Sequence, residues 1–490
     1  MAGVEALPAR RDILVRGGLV LTMEPDLGEF RGDVEVRDGE IVALGPVPET
    51  SRATTDSADS RLPDGEVIDA TGGIVLPGFV DTHWHLWGTL LRGVIGDGPT
   101  HGWFARKAAL GPHLRPQDTA AGARLALAEG LAAGITTVHD WAHNVLSRAD
   151  AEANVAADIE LGARVHWSWG VPSTTPGLSL EEMSRVVGRL GRDVDEAMDV
   201  GAVAELREAW RGRADGRLTV GVNLRGPARS TQDVYRREFE DARRHGLPIA
   251  MHCAGTRAEV ARIRQVEVLA RDGLLGPDLL LAHGNHLPAE DIASAAAAGV
   301  AISISPLSEL RLAMGFLQVR EFLAAGVRVS FSLDTTAIAA SADPFQALRV
   351  AVGLEGVRHG DPTALSPRRA LELATIEGAR SLGLGETTGS LRPGKRADLI
   401  VVRTDALNVA PAVDPAIALV HAAAPANVDT VIVDGRILKR AGRLVAVDEA
   451  AVVAEAEAAL LRVCERAGLE VPADSPAGRR RAPAAAGRVT

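Results

Sequence analysis

Lysine is almost missing from this chain, occurring among 490 residues only at Lys107, Lys395 and Lys439. Cysteine is scarcer still. Cys253 and Cys464 cannot build a disulfide framework, so a reducing cytoplasm is the expected compartment. No run of about 20 apolar residues is present, which argues against a membrane-spanning helix. Residues Met1 to Leu14 lack the continuous apolar stretch of a secretory signal. Excess positive charge is absent too: 53 basic against 64 acidic residues leave a net charge of -11. Nucleic acid and anionic membrane are therefore poor partners, and a small molecule is the expected one. What is left is an ordinary globular composition, 46% hydrophobic and 24% charged, at a length that predicts roughly two to three domains.

The first seventy residues alternate short apolar runs with turns, and Asp38-Gly39 between Val34-Glu35-Val36 and Ile41-Val42 is a strong hairpin signal. The same pattern returns near the other end, in Leu399 to Val402 and in Val428 to Arg436 with its Asp434-Gly435. Two such segments flanking a long middle predict one small β-sandwich built from both termini, over 1–72 and 385–446. Between them, over 73–384, eight strand-like runs alternate with Ala-rich helical stretches: Ile74 to Val80, Ile135 to His139, Arg164 to Trp169, Leu218 to Leu224, Pro248 to His252, Leu279 to His283, Val300 to Ile304 and Val327 to Leu333. That alternation predicts an α/β fold, a (β/α)8 TIM barrel whose chemistry sits where the strands end. Leu180 to Gly212 reads as a charged helical insertion. Residues 447–470 read as an amphipathic helix, and 471–490, with Arg479-Arg480-Arg481, as a disordered tail.

The chemistry is announced by Leu76-Pro77-Gly78-Phe79-Val80-Asp81-Thr82-His83-Trp84-His85. On a strand, His83 and His85 point to one face and Trp84 to the other. Two neutral imidazoles converging on one point suit a divalent cation, although such a pair is equally well explained as hydrogen-bonded structure. The whole decapeptide resembles the opening signature of the amidohydrolase superfamily, in its cytosine deaminase and chlorohydrolase branch. Other strand ends then carry residues of the same kind: His252 after the fifth, His283 after the sixth and Asp334 after the eighth. The resemblance implies His83, His85, His252 and Asp334 as metal ligands and His283 as a hydrogen-bonding partner of the water or of the substrate oxygen. It also implies a homodimer or larger homo-oligomer.

One divalent ion is expected, zinc first and iron(II) second. Many superfamily members bridge two metals with a carbamylated lysine after the fourth strand. Here no lysine lies between Lys107 and Lys395, so a mononuclear centre is expected. Such an ion lowers the pKa of a bound water to about 7 in the best cases, and Asp334 is placed to take that water's proton and return it to the leaving group. One departure from the family pattern stands out. The deaminase branch has His-x-x-Glu after the fifth strand, whereas this chain has His252-Cys253-Ala254-Gly255. Glu259 and Glu309 are the candidates to replace that glutamate, unless Asp334 alone shuttles protons. Six of the seven tryptophans fall between Trp84 and Trp169. Of these, Trp87, Trp103, Trp141 and Trp169, with His143, are candidates to line a pocket for a flat substrate. The expected activity is hydrolysis of a non-peptide C–N bond in a cyclic amide, amidine or aminated heterocycle. Displacement of chloride from an electron-poor ring, a non-hydrolytic lyase or decarboxylase reaction, and a non-catalytic retired barrel are the alternatives.

Overall fold

Both Asp-Gly pairs form the expected hairpin turns: Asp38 and Gly39 have φ of 45° and 76°, Asp434 and Gly435 of 54° and 72°. These left-handed values match the primed turns that suit strand twist. The two turns also touch, since a Cβ on Gly435 would lie 2.6 Å from the Cα of Gly39. In the computed structural model, which describes residues 4–46, 65–98, 101–170, 196–472 and 474–477, the chain's two ends therefore enter one nine-stranded mixed sheet. Its central strands are Leu399–Arg403, Gly73–Pro77 and Ile13–Leu21. Ile13, Val34, Val36, Ile68, Val75 and Ile432 give it a core of its own.

The remaining eight strands run parallel: β1 Phe79–Trp84, β2 Ile135–Ala142, β3 Arg164–Gly170, β4 Leu218–Leu224, β5 Ile249–Cys253, β6 Leu279–His283, β7 Ala301–Ile304 and β8 Arg328–Phe331. A parallel bridge between Trp84 and Asp334 joins the last strand's end to the first. Thr82 in β1 also reaches across, its hydroxyl 2.9 Å from Ser330 Oγ and 2.7 Å from Ser303 Oγ. This is the expected barrel, with one correction. The predicted strand Ile74 to Val80 is two strands. Gly73–Pro77 pairs antiparallel with Leu399–Arg403 in the terminal sheet, and β1 starts only at Phe79. The break has a physical cause: Pro77 offers no N–H to a ladder, and a Cβ on Gly78 would lie 2.1 Å from the Thr136 side chain. The aliphatic run therefore ends in one sheet, and the histidines sit on another.

Outside the barrel, Trp84, Trp167, Phe239, Phe322 and Phe345 are fully buried among the helices. The helix Pro116–Ala132 starts with proline at its first turn, and Asp118 accepts from Arg115 N at 3.1 Å. The helix Glu449–Arg466 lies against it, held by Arg462 and Arg466 on Asp118 and by Arg124 on Glu455. Of the expected insertion Leu180 to Gly212, residues up to 195 lie outside the described residues, and the rest contains the helix Val200–Ala209. Residues 478–490, with Arg479 to Arg481, also lie outside them. Among the described residues no helix is long and apolar enough to cross a membrane.

Candidate metal centre and active-site cavity

The C-terminal ends of β1, β5, β6 and β8 bring five side chains together. His83 is the hub: its ring centroid is 4.8 Å from His85, 4.9 Å from His252 and 5.4 Å from His283. Asp334 Oδ1 lies 3.6 Å from His83 Nε2 and 3.4 Å from His85 Nε2. Two overlapping triads with ligand spacing result, His83–His85–Asp334 and His83–His252–His283. Two ligands about 2.0–2.1 Å from one tetrahedral ion are themselves about 3.4 Å apart, which is the separation seen at Asp334.

His83 is completely buried, yet among the described residues neither Nδ1 nor Nε2 has a hydrogen-bond partner. Leaving a buried polar atom unsatisfied costs about 1–3 kcal/mol, and a divalent ion supplies the missing partner. His85 is oriented for the same task. Its Nδ1 sits 3.1 Å from the carbonyl of Trp141, so Nδ1–H donates there and Nε2 keeps its lone pair. Burial, reinforced by the neighbouring imidazoles, pushes His83, His85 and His252 well below the usual histidine range. Neutral imidazole is the form that binds a cation. These residues fit a metal.

His283 is different. Burial resists its protonation, but the hydrogen bond and charge of Glu309, with Asp334 adding, outweigh that and raise its pKa. Its Nδ1 is 3.0 Å from Glu309 Oε1, and Glu309 also accepts from Ser305 N and from Asn285 Nδ2, both at 2.8 Å. The backbone here is unusual as well. Ala254, His283 and Asp334 hold φ of 52°, 81° and 63°, left-handed values that cost a non-glycine residue energy and concentrate at functional sites.

A cavity of about 570 Å³ opens onto this cluster. Of the predicted pocket residues, Trp103, Trp141 and His143 line it, and Trp103 stacks on His85 at 6.3 Å and 21°. Trp87, Trp169 and Glu309 do not. Trp87 is buried behind the wall, 5.9 Å from Trp103 and 5.3 Å from His143. Along β3 the side chains alternate: His166 and Ser168 face His139 inside the barrel, so Trp167 and Trp169 pack together on the helix side. Glu309 is fully buried behind His283. Sequence reasoning passed over Lys107, Arg225, Arg229 and Arg262, all of which line the cavity. Arg225 and Arg229 follow directly on β4, so the rule that placed the histidines at strand ends was the signal available for them. Lys107 is drawn down to about 7 by burial and by Arg229.

Comparison with known proteins agrees with this geometry. A 5-methylthioadenosine/S-adenosylhomocysteine deaminase of Pelotomaculum thermopropionicum is 33% identical over 466 residues, covering 93% of this chain and 99% of its own. A 5'-deoxyadenosine deaminase of Methanosarcina acetivorans is 31% identical over the same length, with the same coverage. The crystal structure of an adenosine deaminase from Xanthomonas campestris with bound zinc superposes with a TM-score of 0.76 at 27% identity, covering 94% of this chain and all of that one. The model of the amidohydrolase family matches residues 74–438. With that match across most of its length, the chain belongs to the amidohydrolase family, metal-dependent hydrolases of which its relatives act on carbon–nitrogen bonds.

Proposed function

We propose that this enzyme removes an amino group from a small aminated heterocycle by hydrolysis, with one divalent ion, zinc before iron(II), held by His83, His85, His252 and Asp334. The observation that carries the reading is His83, fully buried at the centre of the cluster with both ring nitrogens unpartnered. When bound, the ion supplies activated water at neutral pH. Asp334 accepts the proton of the attacking water and returns it to the departing nitrogen, which splits one costly proton transfer into two short ones. Glu309 raises the pKa of His283 and so favours its protonated form, which presents Nε2–H to the oxygen on which negative charge develops.

Glu259 takes the place left empty at Gly255. With Asp334 it is one of two carboxylates that the described residues place on the cavity wall, and its Oε2 lies 4.0 Å from where a Gly255 Cβ would sit. Its other oxygen accepts from Ala254 N at 3.1 Å and from Gln265 Nε2 at 2.6 Å, which fixes the carboxylate toward a ring nitrogen of the substrate. Trp103 and Trp141 offer flat faces for that ring.

The test is metal analysis of the purified protein combined with an ammonia-release screen across aminated purines, pyrimidines and triazines. About one zinc or iron per chain, with ammonia release lowered by about 100-fold or more in Asp334→Asn, supports the reading. Chloride release from a chlorinated ring without ammonia release from any amine replaces it by dehalogenation. Protein that takes up no metal and turns over nothing overturns it.

A further inference from the structure

The charges around the cavity do not balance. Among the described residues, Lys107, Arg225, Arg229 and Arg262 face it against Glu259 and Asp334 alone, in a chain whose net charge is -11. Both carboxylates are engaged, Asp334 with His83 and His85 and Glu259 with Ala254 and Gln265. Lys107 lies over the Trp103 ring at 5.8 Å, and two of the arginines are engaged as well. Arg225 donates to the carbonyl of Glu196 at 2.8 Å and reaches Glu238 at 3.4 Å. Arg262 donates to the carbonyl of Ala228 at 2.6 Å.

Arg229 stands apart. It is partly buried on the cavity wall, and among the described residues its guanidinium has no hydrogen bond and no carboxylate within 4.0 Å. Burial and the charge of Arg262 depress its pKa, with Glu259 only partly offsetting them. A guanidinium is a rigid fork of N–H donors that matches a carboxylate or a phosphate. Holding one half-desolvated beside other cations, with no anion of its own, makes sense energetically once a ligand supplies that anion. Lys107 borders the same cavity, and because burial and the charge of Arg229 draw it down to about 7, an anion bound beside Arg229 also draws a proton onto it.

We propose that Arg229, assisted by Lys107, is an anion subsite, and that the substrate is an aminated heterocycle carrying a carboxylate or a phosphate monoester. The proposal deepens the deaminase reading and rests on it only for the heterocycle. The subsite is tested by binding alone. Inorganic phosphate and, separately, benzoate are titrated calorimetrically at low ionic strength into metal-loaded and metal-depleted protein, for the wild type, Arg229→Met and Arg229→Lys. The expected result is saturable binding of one or both probes that is at least tenfold weaker in Arg229→Met, partly recovered in Arg229→Lys, and still present after metal depletion. Phosphate binding in excess of benzoate identifies the phosphate monoester, and the reverse identifies the carboxylate. Binding that disappears with the metal and ignores Arg229 overturns the proposal, as does the absence of saturable binding. A second readout concerns the substrate itself. Among amines found by ammonia release, adenosine 5'-monophosphate against adenosine being the first pair, the anionic member is expected to show at least tenfold higher kcat/KM, and Arg229→Met to erase the difference. Equal turnover of both members overturns the substrate assignment and leaves the deaminase reading standing, whereas anion binding without any ammonia release does the opposite.

Discussion

The amide of Asp334 donates to the carbonyl of His83 at 2.8 Å, and the carbonyl of Asp334 accepts from the amide of His85 at 2.5 Å. The last barrel strand is thus tied to the first through the same residues whose side chains converge on the candidate metal site. Barrel closure and site assembly are one event, and ligand positions inherit the stiffness of the sheet.

Asp334→Asn separates the chemistry from that closure. Asparagine tolerates the left-handed φ of 63° at this position and keeps the backbone bonds to His83 and His85. It cannot take a proton. The expected outcome is a folded protein with kcat lowered by about 10²- to 10⁴-fold. Asp334→Ala, which pays the backbone strain as well, is expected to be less stable than Asp334→Asn in urea unfolding.

Glu309→Gln should act through His283. The amide keeps the shape of the side chain but removes the charge that raises the His283 pKa. A fall in kcat of about 10- to 100-fold, the usual cost of losing the partner that orients a site histidine, is expected with KM and metal content little changed. Unchanged kcat would show that Glu309 merely fills space.

The barrel was legible because each strand run ends at a turn and repeats with helices between, and the histidines were legible because they stand at those ends. Two kinds of information were not. Ile74 to Val80 reads as one strand despite Pro77-Gly78, and the long-range pairings that divide it between two sheets are not encoded locally. Which tryptophans face the cavity depends on strand parity and loop path: Trp141 shares a face with His139 on β2, whereas Trp169 shares the outer face with Trp167. Glu309 was seen as a carboxylate of the site, but its place behind His283 is a long-range contact that no local pattern encodes.

Metal removal should cost stability as well as activity. Among the described residues neither ring nitrogen of His83 has a hydrogen-bond partner, and a bound ion supplies one to the nitrogen that ligates it. Free zinc at about 100 times its Kd is worth roughly 2.7 kcal/mol. Chelator-treated protein is therefore expected to melt several degrees lower, with both melting temperature and turnover restored by one equivalent of zinc. An unchanged melting temperature on depletion would place the ion outside the His83 cluster.

The joint between barrel and terminal sheet carries the acid sensitivity of the fold. Arg164, at the start of β3, donates to both oxygens of Asp398 at 2.6 and 3.2 Å, and Asp398 also accepts from Asp434 N at 2.8 Å. Burial works against ionising Asp398, but the charge and hydrogen bonds of Arg164 and the Asp434 amide outweigh it and hold the carboxyl below its ordinary value. A depressed folded-state pKa means that this contribution is complete above the unfolded carboxylate value of about 3.9 and is lost as pH falls through the folded value. Stability should therefore be flat in this contribution near neutrality and decline below about pH 4. Asp398→Asn leaves the buried Arg164 with, among the described residues, only the carboxylate of Asp434 at 4.0 Å and is expected to destabilise the protein, by about 3–5 kcal/mol at most, at pH 7. It should also flatten the acid limb, so that the difference from wild type in urea unfolding shrinks between neutral pH and about pH 3. A difference that stays constant over that range would assign the acid sensitivity to other carboxylates.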